Sequence, residues 1–275
     1  MRYNGSFMSV FLVKVRWFVA VLALAMIYPR AADAEAGATA EEIIQKAVER
    51  AGKSSSGTNG YSYKKVTVTE ELDSAGKVKE RKEKVYHVSF ENGRTRSKLM
   101  AVNGKPAANA DVKKQSETEQ TGKQLIGDSK SKHGEQRENF LTTEIVARFN
   151  FKLTAESVMN GRTAYEISFQ PKSPEPPVRH MMDRLLNRVA GTLWIDAKEF
   201  ELARADIKLG SEVNLLGGVI GSLKKLVYTM TRTRLADGIW LRTSSSGDFE
   251  GRKLVDAMRI KTKSHSTDFQ LAAAP

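Results

Sequence analysis

Apolar residues recur at every second position through much of this chain, the period of an extended strand whose side chains point alternately to two faces. In residues 191–209, Leu193 and Ile195 fall on one side and Trp194 and Asp196 on the other. After a polar turn at Asp196-Ala197-Lys198-Glu199 the chain returns with Ala203, Ala205, Ile207 and Leu209 together. This predicts a β-hairpin with one apolar side. The same alternation predicts a meander over 61–72, 77–90 and 94–102, in which Tyr86, Val88 and Phe90 share a face. It predicts a hairpin over 151–158 and 162–170, and a closing meander over 226–235, 239–249 and 252–267. The separators Asp73-Ser74-Ala75-Gly76, Glu91-Asn92-Gly93, Asn160-Gly161, Asp237-Gly238 and Glu250-Gly251 carry the Asn, Asp and Gly that tight turns need for positive φ.

Helical spacing appears in three places. Thr39-Ala40-Glu41-Glu42 fits a capping box, and Ile43, Ile44, Ala47, Val48 and Ala51 then make an apolar stripe, predicting an amphipathic helix over 40–52. Shorter helices are predicted at 140–149 (Leu141, Ile145, Val146, Phe149) and from Met181 through Leu186 to Val189. Residues 54–60 read as a flexible Ser/Gly link. From 103 to 139 the composition turns to Lys, Gln, Glu and Ser with little to bury, the mark of a mobile, partly helical insertion. In 211–223, Leu215, Leu216, Val219 and Ile220 are interrupted by Gly217, Gly218 and Gly221, too glycine-rich for a buried helix. The segment reads as a lid or a membrane-touching loop. Together these elements predict a mainly β domain over 35–275: a half-open antiparallel β-barrel of about 10–11 strands, with helices covering its concave face and a cavity between the two.

The first residues stand apart from this pattern. Lys14 and Arg16 precede an apolar run from Trp17 to Tyr28, followed by Ala32-Asp33-Ala34, a small-residue cleavage signature. Residues 1–34 are therefore expected to be a secretory signal cleaved near Ala34, placing the mature protein in a periplasm. The chain has no cysteine, so neither disulfides nor a lipidated cysteine enter the picture. Its formal charge is +12; loss of Arg2, Lys14, Arg16, Arg30 and Asp33 leaves about +9. For an exported protein that charge points away from nucleic acid and towards anionic lipid head groups, lipopolysaccharide, acidic glycans or an acidic protein face, so contact with a membrane surface is among the expectations.

Catalytic chemistry is hard to find. His87, His133, His180 and His265 lie on unrelated elements in no ligand spacing, so no metal is expected. Ser244-Ser245-Ser246-Gly247 lacks the nucleophile-elbow pattern and reads as a polar edge or turn. Gly217, Gly218 and Gly221 lack the lysine and hydroxyl of a phosphate loop. Asp196, Glu199 and Glu201 could pair for glycoside cleavage, but in a turn, solvated acids are the ordinary case. What is unusual is apolar. Tyr86, Val88, Phe90, Phe151, Leu153, Tyr165, Ile167, Phe169, Leu193 and Ile195 crowd one face of the strands, with Phe149 beside them, and three modest helices are a thin cover for it. These ten are the candidate cavity, with Leu215, Leu216, Val219 and Ile220 as candidate lid.

The helix at 39–51 feeding Tyr61-Ser62-Tyr63, the long meander, Asn160-Gly161-Arg162-Thr163-Ala164-Tyr165, and above all Gly191-Thr192-Leu193-Trp194-Ile195-Asp196 followed by Phe200-Glu201-Leu202 resemble the LolA/LolB-like outer-membrane lipoprotein-sorting superfamily. The resemblance covers about 40–270. It implies an unclosed barrel of about eleven strands, helices as a lid, and a hydrophobic cavity that takes lipoprotein acyl chains or another lipid without enzymatic activity or cofactor. RseB-type sensor domains on a similar scaffold give the alternative, a lipid-sensing regulatory adaptor whose protein partner the sequence does not name. The polar insertion at 103–139 is not part of the minimal carrier.

Overall fold

The computed structural model describes residues 38–57, 60–91, 94–113, 115, 141–215, 221–253 and 256–271. The predicted signal, most of the insertion and Leu216, Val219 and Ile220 lie outside them. Helix α1 (Ala40–Gly57) begins where the capping box places it. The Thr39 amide donates to Glu42 Oε2 at 2.8 Å and the Glu42 amide to Thr39 Oγ1 at 3.2 Å. The helix runs on through Ser54–Gly57, part of the segment expected to be a link. Ile43, Ile44 and Ala47 are fully buried, and burying each isoleucine contributes about 1.5–3 kcal/mol.

Among the described residues twelve strands follow, with helical segments between them at 109–113 and in α2 and α3: β1 (Tyr61–Leu72), β2 (Val78–Glu91), β3 (Arg94–Val102), β4 (Lys105–Pro106), α2 (Thr143–Val146), β5 (Phe149–Met159), β6 (Arg162–Pro171), α3 (Met181–Leu186), β7 (Val189–Asp196), β8 (Leu202–Leu209), β9 (Val213–Leu215), β10 (Gly221–Arg234), β11 (Trp240–Lys253) and β12 (Asp256–Leu271). They form one sheet in the order β4-β3-β2-β1-β12-β11-β10-β8-β7-β6-β5, with β9 paired to β10. All pairs are antiparallel. The sheet does not close into a barrel, so the fold is the expected half-open, mainly β one. The last strand returns to pair with the first, Val66 opposite His265 and Thr69 opposite Thr262, which joins the two meanders into a continuous surface.

Three local expectations change. Phe149 and Val189 open strands instead of closing helices, and α2 is a single turn capped by the Thr142 hydroxyl. Glu250-Gly251 is no turn: β11 runs on to Lys253, and a Cβ at Gly251 would clash with the Ser222 carbonyl oxygen of β10. Its glycine thus answers a close approach of two backbones. Asn160-Gly161 is the expected tight turn, with φ of 50° and 75°. Ser244–Ser246 forms neither edge nor turn, but sits in mid-β11 between β10 and β12.

Candidate functional site

Residues directly opposed in a sheet share a face, so the pairing register can be followed across the molecule. One row runs Leu153, Ile167, Leu193, Ala205, Met230, Ser245, Ser264, Thr67. The next runs Phe151, Phe169, Gly191, Ile207, Tyr228, Gly247, Thr262, Thr69. Both change character between β10 and β11. From β5 to β10 the inner face is apolar, and α1 lies against β5. Over β11, β12 and β1 it is lined with hydroxyls. Beyond these, Tyr61, Tyr63, Tyr86, Val88, Phe90, Leu99 and Leu241 form a second buried apolar cluster.

The ten candidate cavity residues therefore divide. Ile167, Phe169, Leu193 and Ile195 are buried in the apolar half, with Phe151, Leu153 and Tyr165 half-buried beside them. The Phe149 ring meets Phe169 edge-on at 5.1 Å and Phe151 at 6.4 Å. Tyr86, Val88 and Phe90 belong to the second cluster, across the hydroxyl rows. Of the candidate lid, Leu215 ends β9, its backbone opposite Gly221.

A cleft of about 350 Å³ opens over the hydroxyl rows. Tyr63 and Val88 are its apolar walls; Thr95, Ser97, Ser244, Ser245, Ser264 and Ser266 line the rest, with the two cations Lys65 and Arg242. Val88 alone of the candidate cavity residues lines it. Lys65 Nζ lies 4.9 Å from the centre of the Tyr86 ring, a cation–π contact that holds the ammonium on the inner face. Thr67 and Ser264 hydroxyls are 2.9 Å apart across β1 and β12. At the β2 end, Gln115 accepts from Lys84 Nζ and from the Tyr86 hydroxyl, at 2.8 and 3.1 Å.

The hydroxyl rows have a signal in the sequence that hydrophobicity conceals. On β12, Thr262, Ser264 and Ser266 alternate with exposed Lys261, Lys263 and His265; on β1, Lys65, Thr67 and Thr69 share the matching phase. The alternation separates hydroxyl from charge instead of apolar from polar, so a search for oily positions passes over it.

The acids of the β7–β8 turn are not the solvated groups expected there. Asp196 is buried and accepts both Arg162 Nε and Nη2, at 2.6 and 2.8 Å, as well as the amides of Lys198 and Glu199. Burial pushes its pKa up, but the Arg162 bonds and turn amides outweigh that and hold it below the usual carboxylate range. Glu199 is lowered in the same way: burial opposes ionisation, while the Trp240 indole N–H, Arg234 and Arg162 more than offset it. Glu201 accepts from Arg232 at 2.7 Å and from Arg50 of α1 at 3.0 Å. Arg232 also donates to the carbonyls of Leu202 and Trp240. The arginine partners come from strands and a helix far off in sequence, which no local turn rule reveals. Each carboxylate is committed to guanidinium groups, an arrangement that anchors the hairpin to α1, β6 and β10. His87 and His265 are exposed, and His180 precedes α3 with its amide bonded to Asp183.

No family model and no curated protein sequence matches the chain. Among solved structures it is similar to a DUF1329 family protein from Desulfovibrio piger, at 12% identity over 86% of this chain and 94% of that one, with a TM-score of 0.36. It is similar to a LolA superfamily protein from Nitrosomonas europaea at 9% identity, covering 86% and 96%, with a TM-score of 0.29. It is also similar to a chain of the Pseudomonas aeruginosa MucA/MucB complex at 8% identity, covering 83% and 99%, with a TM-score of 0.26.

Proposed function

We propose that this chain is an exported, non-enzymatic carrier that binds lipoprotein acyl chains or another lipid on the inner face of its curved sheet, for transfer towards the outer membrane. The observation that carries this reading is the unclosed sheet with a cleft of about 350 Å³ on its inner face, walled by Tyr63 and Val88. Acyl chains left in water cost about 0.8 kcal/mol per methylene, so a molecule crossing an aqueous compartment needs such shelter. The cleft's two apolar wall residues, Tyr63 and Val88, bind by area and not by directional bonds, which allows release to a better sink.

The test is mass spectrometry of small molecules bound to the purified protein, together with titration of a fluorescent fatty acid. A co-purified lipid, and probe enhancement that falls in Val88→Asp, are the expected results. Protein free of lipid and silent to the probe would overturn the reading. A protein partner whose affinity changes when lipid is added would replace ferrying with sensing on the same scaffold.

A further inference from the structure

The cleft over β11, β12 and β1 has the wrong lining for hydrocarbon alone. A hydroxyl that an alkyl chain covers loses its water without compensation, which weakens binding about five- to a hundredfold. The lining does not ask for an ion either. Lys65 lies over the Tyr86 ring, both it and Arg242 already interact within the molecule, and no carboxylate is among the described lining residues. What the cleft holds ready is neutral. The Ser264 hydroxyl is shared with Thr67 at 2.9 Å, while those of Ser97, Ser245 and Ser266 have no partner among the described residues. The strand register gathers these three from β3, β11 and β12: Ser97 stands opposite Val88, Ser245 opposite Ser264, and Ser266 opposite Lys65. Their small side chains leave open a space that larger apolar ones would fill.

Resting on the carrier reading, we infer that this cleft is a sugar site, which takes the neutral, polyhydroxylated head group of a glycolipid while the hydrocarbon lies against Tyr63 and Val88. A sugar hydroxyl both donates and accepts hydrogen bonds, as a serine hydroxyl does, so each serine of the cleft can be satisfied whichever way its partner points. An acyl chain returns no such bond. An ionised phosphate offers acceptors alone and is gripped best by guanidinium or ammonium groups, which here are already engaged. The volume of about 350 Å³, near the lower end of small-ligand sites at about 300–1,000 Å³, suits one ring better than a whole lipid. The site thus supplies the selectivity that apolar walls lack: two lipids with the same chains would be told apart by their hydroxyls.

Isothermal titration with octyl glucoside below its micellar concentration, octanol and glucose tests this. The glucoside is expected to bind at least about tenfold tighter than octanol, and the ratio should hold as salt rises, because no ion pair is formed. Glucose alone should bind more weakly than the glucoside. Ser245→Ala and Ser266→Ala remove a hydroxyl and keep the space, so each should weaken the glucoside about two- to tenfold and leave octanol bound as tightly or more so. The melting curve of each variant shows whether it is folded. Equal affinity for the glucoside and octanol, with binding present, overturns the sugar site and leaves the carrier standing. Glucose binding as tightly as its octyl glucoside overturns the carrier and leaves the sugar site. Absence of all binding overturns both. A glucoside advantage that vanishes in high salt, or serine variants that weaken both octyl probes equally, would overturn the sugar site as well.

Discussion

Replacing Glu201 with alanine should be among the most damaging single changes in this protein, and the reason lies in how unevenly its two arginines are exposed. The Glu201 and Arg232 side chains are 1% and 3% exposed, whereas the Arg50 side chain is 40% exposed. Removing the carboxylate leaves Arg232 buried with only the carbonyls of Leu202 and Trp240 as partners, and stranding a buried charge in this way costs about 3–5 kcal/mol. Removing Arg50 instead leaves Glu201 still paired with Arg232, and a half-exposed ion pair contributes about 0–1 kcal/mol. Glu201→Gln, which keeps an acceptor but no charge, should fall between. Urea unfolding followed by circular dichroism measures this, the midpoints being compared at equal slope so that stability alone is read. A loss of several kcal/mol in Glu201→Ala beside less than about 1 in Arg50→Ala is the expected result. If Arg50→Ala costs as much as Glu201→Ala, or if Glu201→Ala costs under about 1 kcal/mol, the buried charge is not what holds this region and the reasoning fails.

Acid should unfold the protein through its arginine-bound carboxylates. Asp196, Glu199 and Asp183 each ionise below their ordinary range in the fold, burial being outweighed by hydrogen bonds and nearby arginines. Their stabilisation is complete above the unfolded carboxylate values of about 3.9–4.3 and is lost as pH falls through the lower folded values. Urea midpoints taken from pH 7 to pH 3 should therefore hold steady and then drop, with a smaller drop in Arg162→Gln; a midpoint that rises on acidification contradicts this. Gly251→Ala should cost about 1–3 kcal/mol, because its Cβ meets backbone in β10 and no flexible side chain can yield; an unchanged thermal midpoint would show that the strands part freely. Amino-terminal sequencing of protein recovered from an exporting host should begin just after Ala34, and an intact Met1 start would remove the export reading.

Much of the fold was legible because it rests on local rules. The period-two runs that became β1, β3, β6 and β10, the Asn160-Gly161 turn and the Thr39 capping box all depend on residues within one hairpin or one helical turn. Gly251 was misread because a glycine in a turn and a glycine beneath a neighbouring strand look alike until the neighbour is known. Phe149 and Val189 were drawn into helices by apolar spacing that a strand end satisfies equally well. The site was harder to read for a different reason. Hydrophobicity located Ile167, Leu193 and Ile195 as inward-facing, but inward is not the same as lining an opening, and all three are buried. The cleft lies where Thr67, Ser245 and Ser264 come side by side from three strands, two of which are separated by almost the whole domain.

That placement has a consequence for how a carrier can load and unload. The largest fully buried side chains include Ile43, Ile167, Ile195, Leu202 and Met230 of α1 and the apolar half of the sheet, beside Val88 and Leu241 of the second cluster, and their burial favours folding. A ligand that had to enter there would displace α1 and lose that packing, several kcal/mol against a total of about 5–15 for a domain. A ligand seated over β11, β12 and β1 meets hydroxyls already in contact with solvent and the flank of the Tyr63–Val88 cluster instead. Apart from Tyr63 and Val88, which the cleft shares with the second core cluster, its lining is hydroxyls and two cations outside the core, so replacing serines there is expected to change the cleft with the core untouched. The division of the inner face into an oily half and a hydroxyl half is what makes that separation physically available.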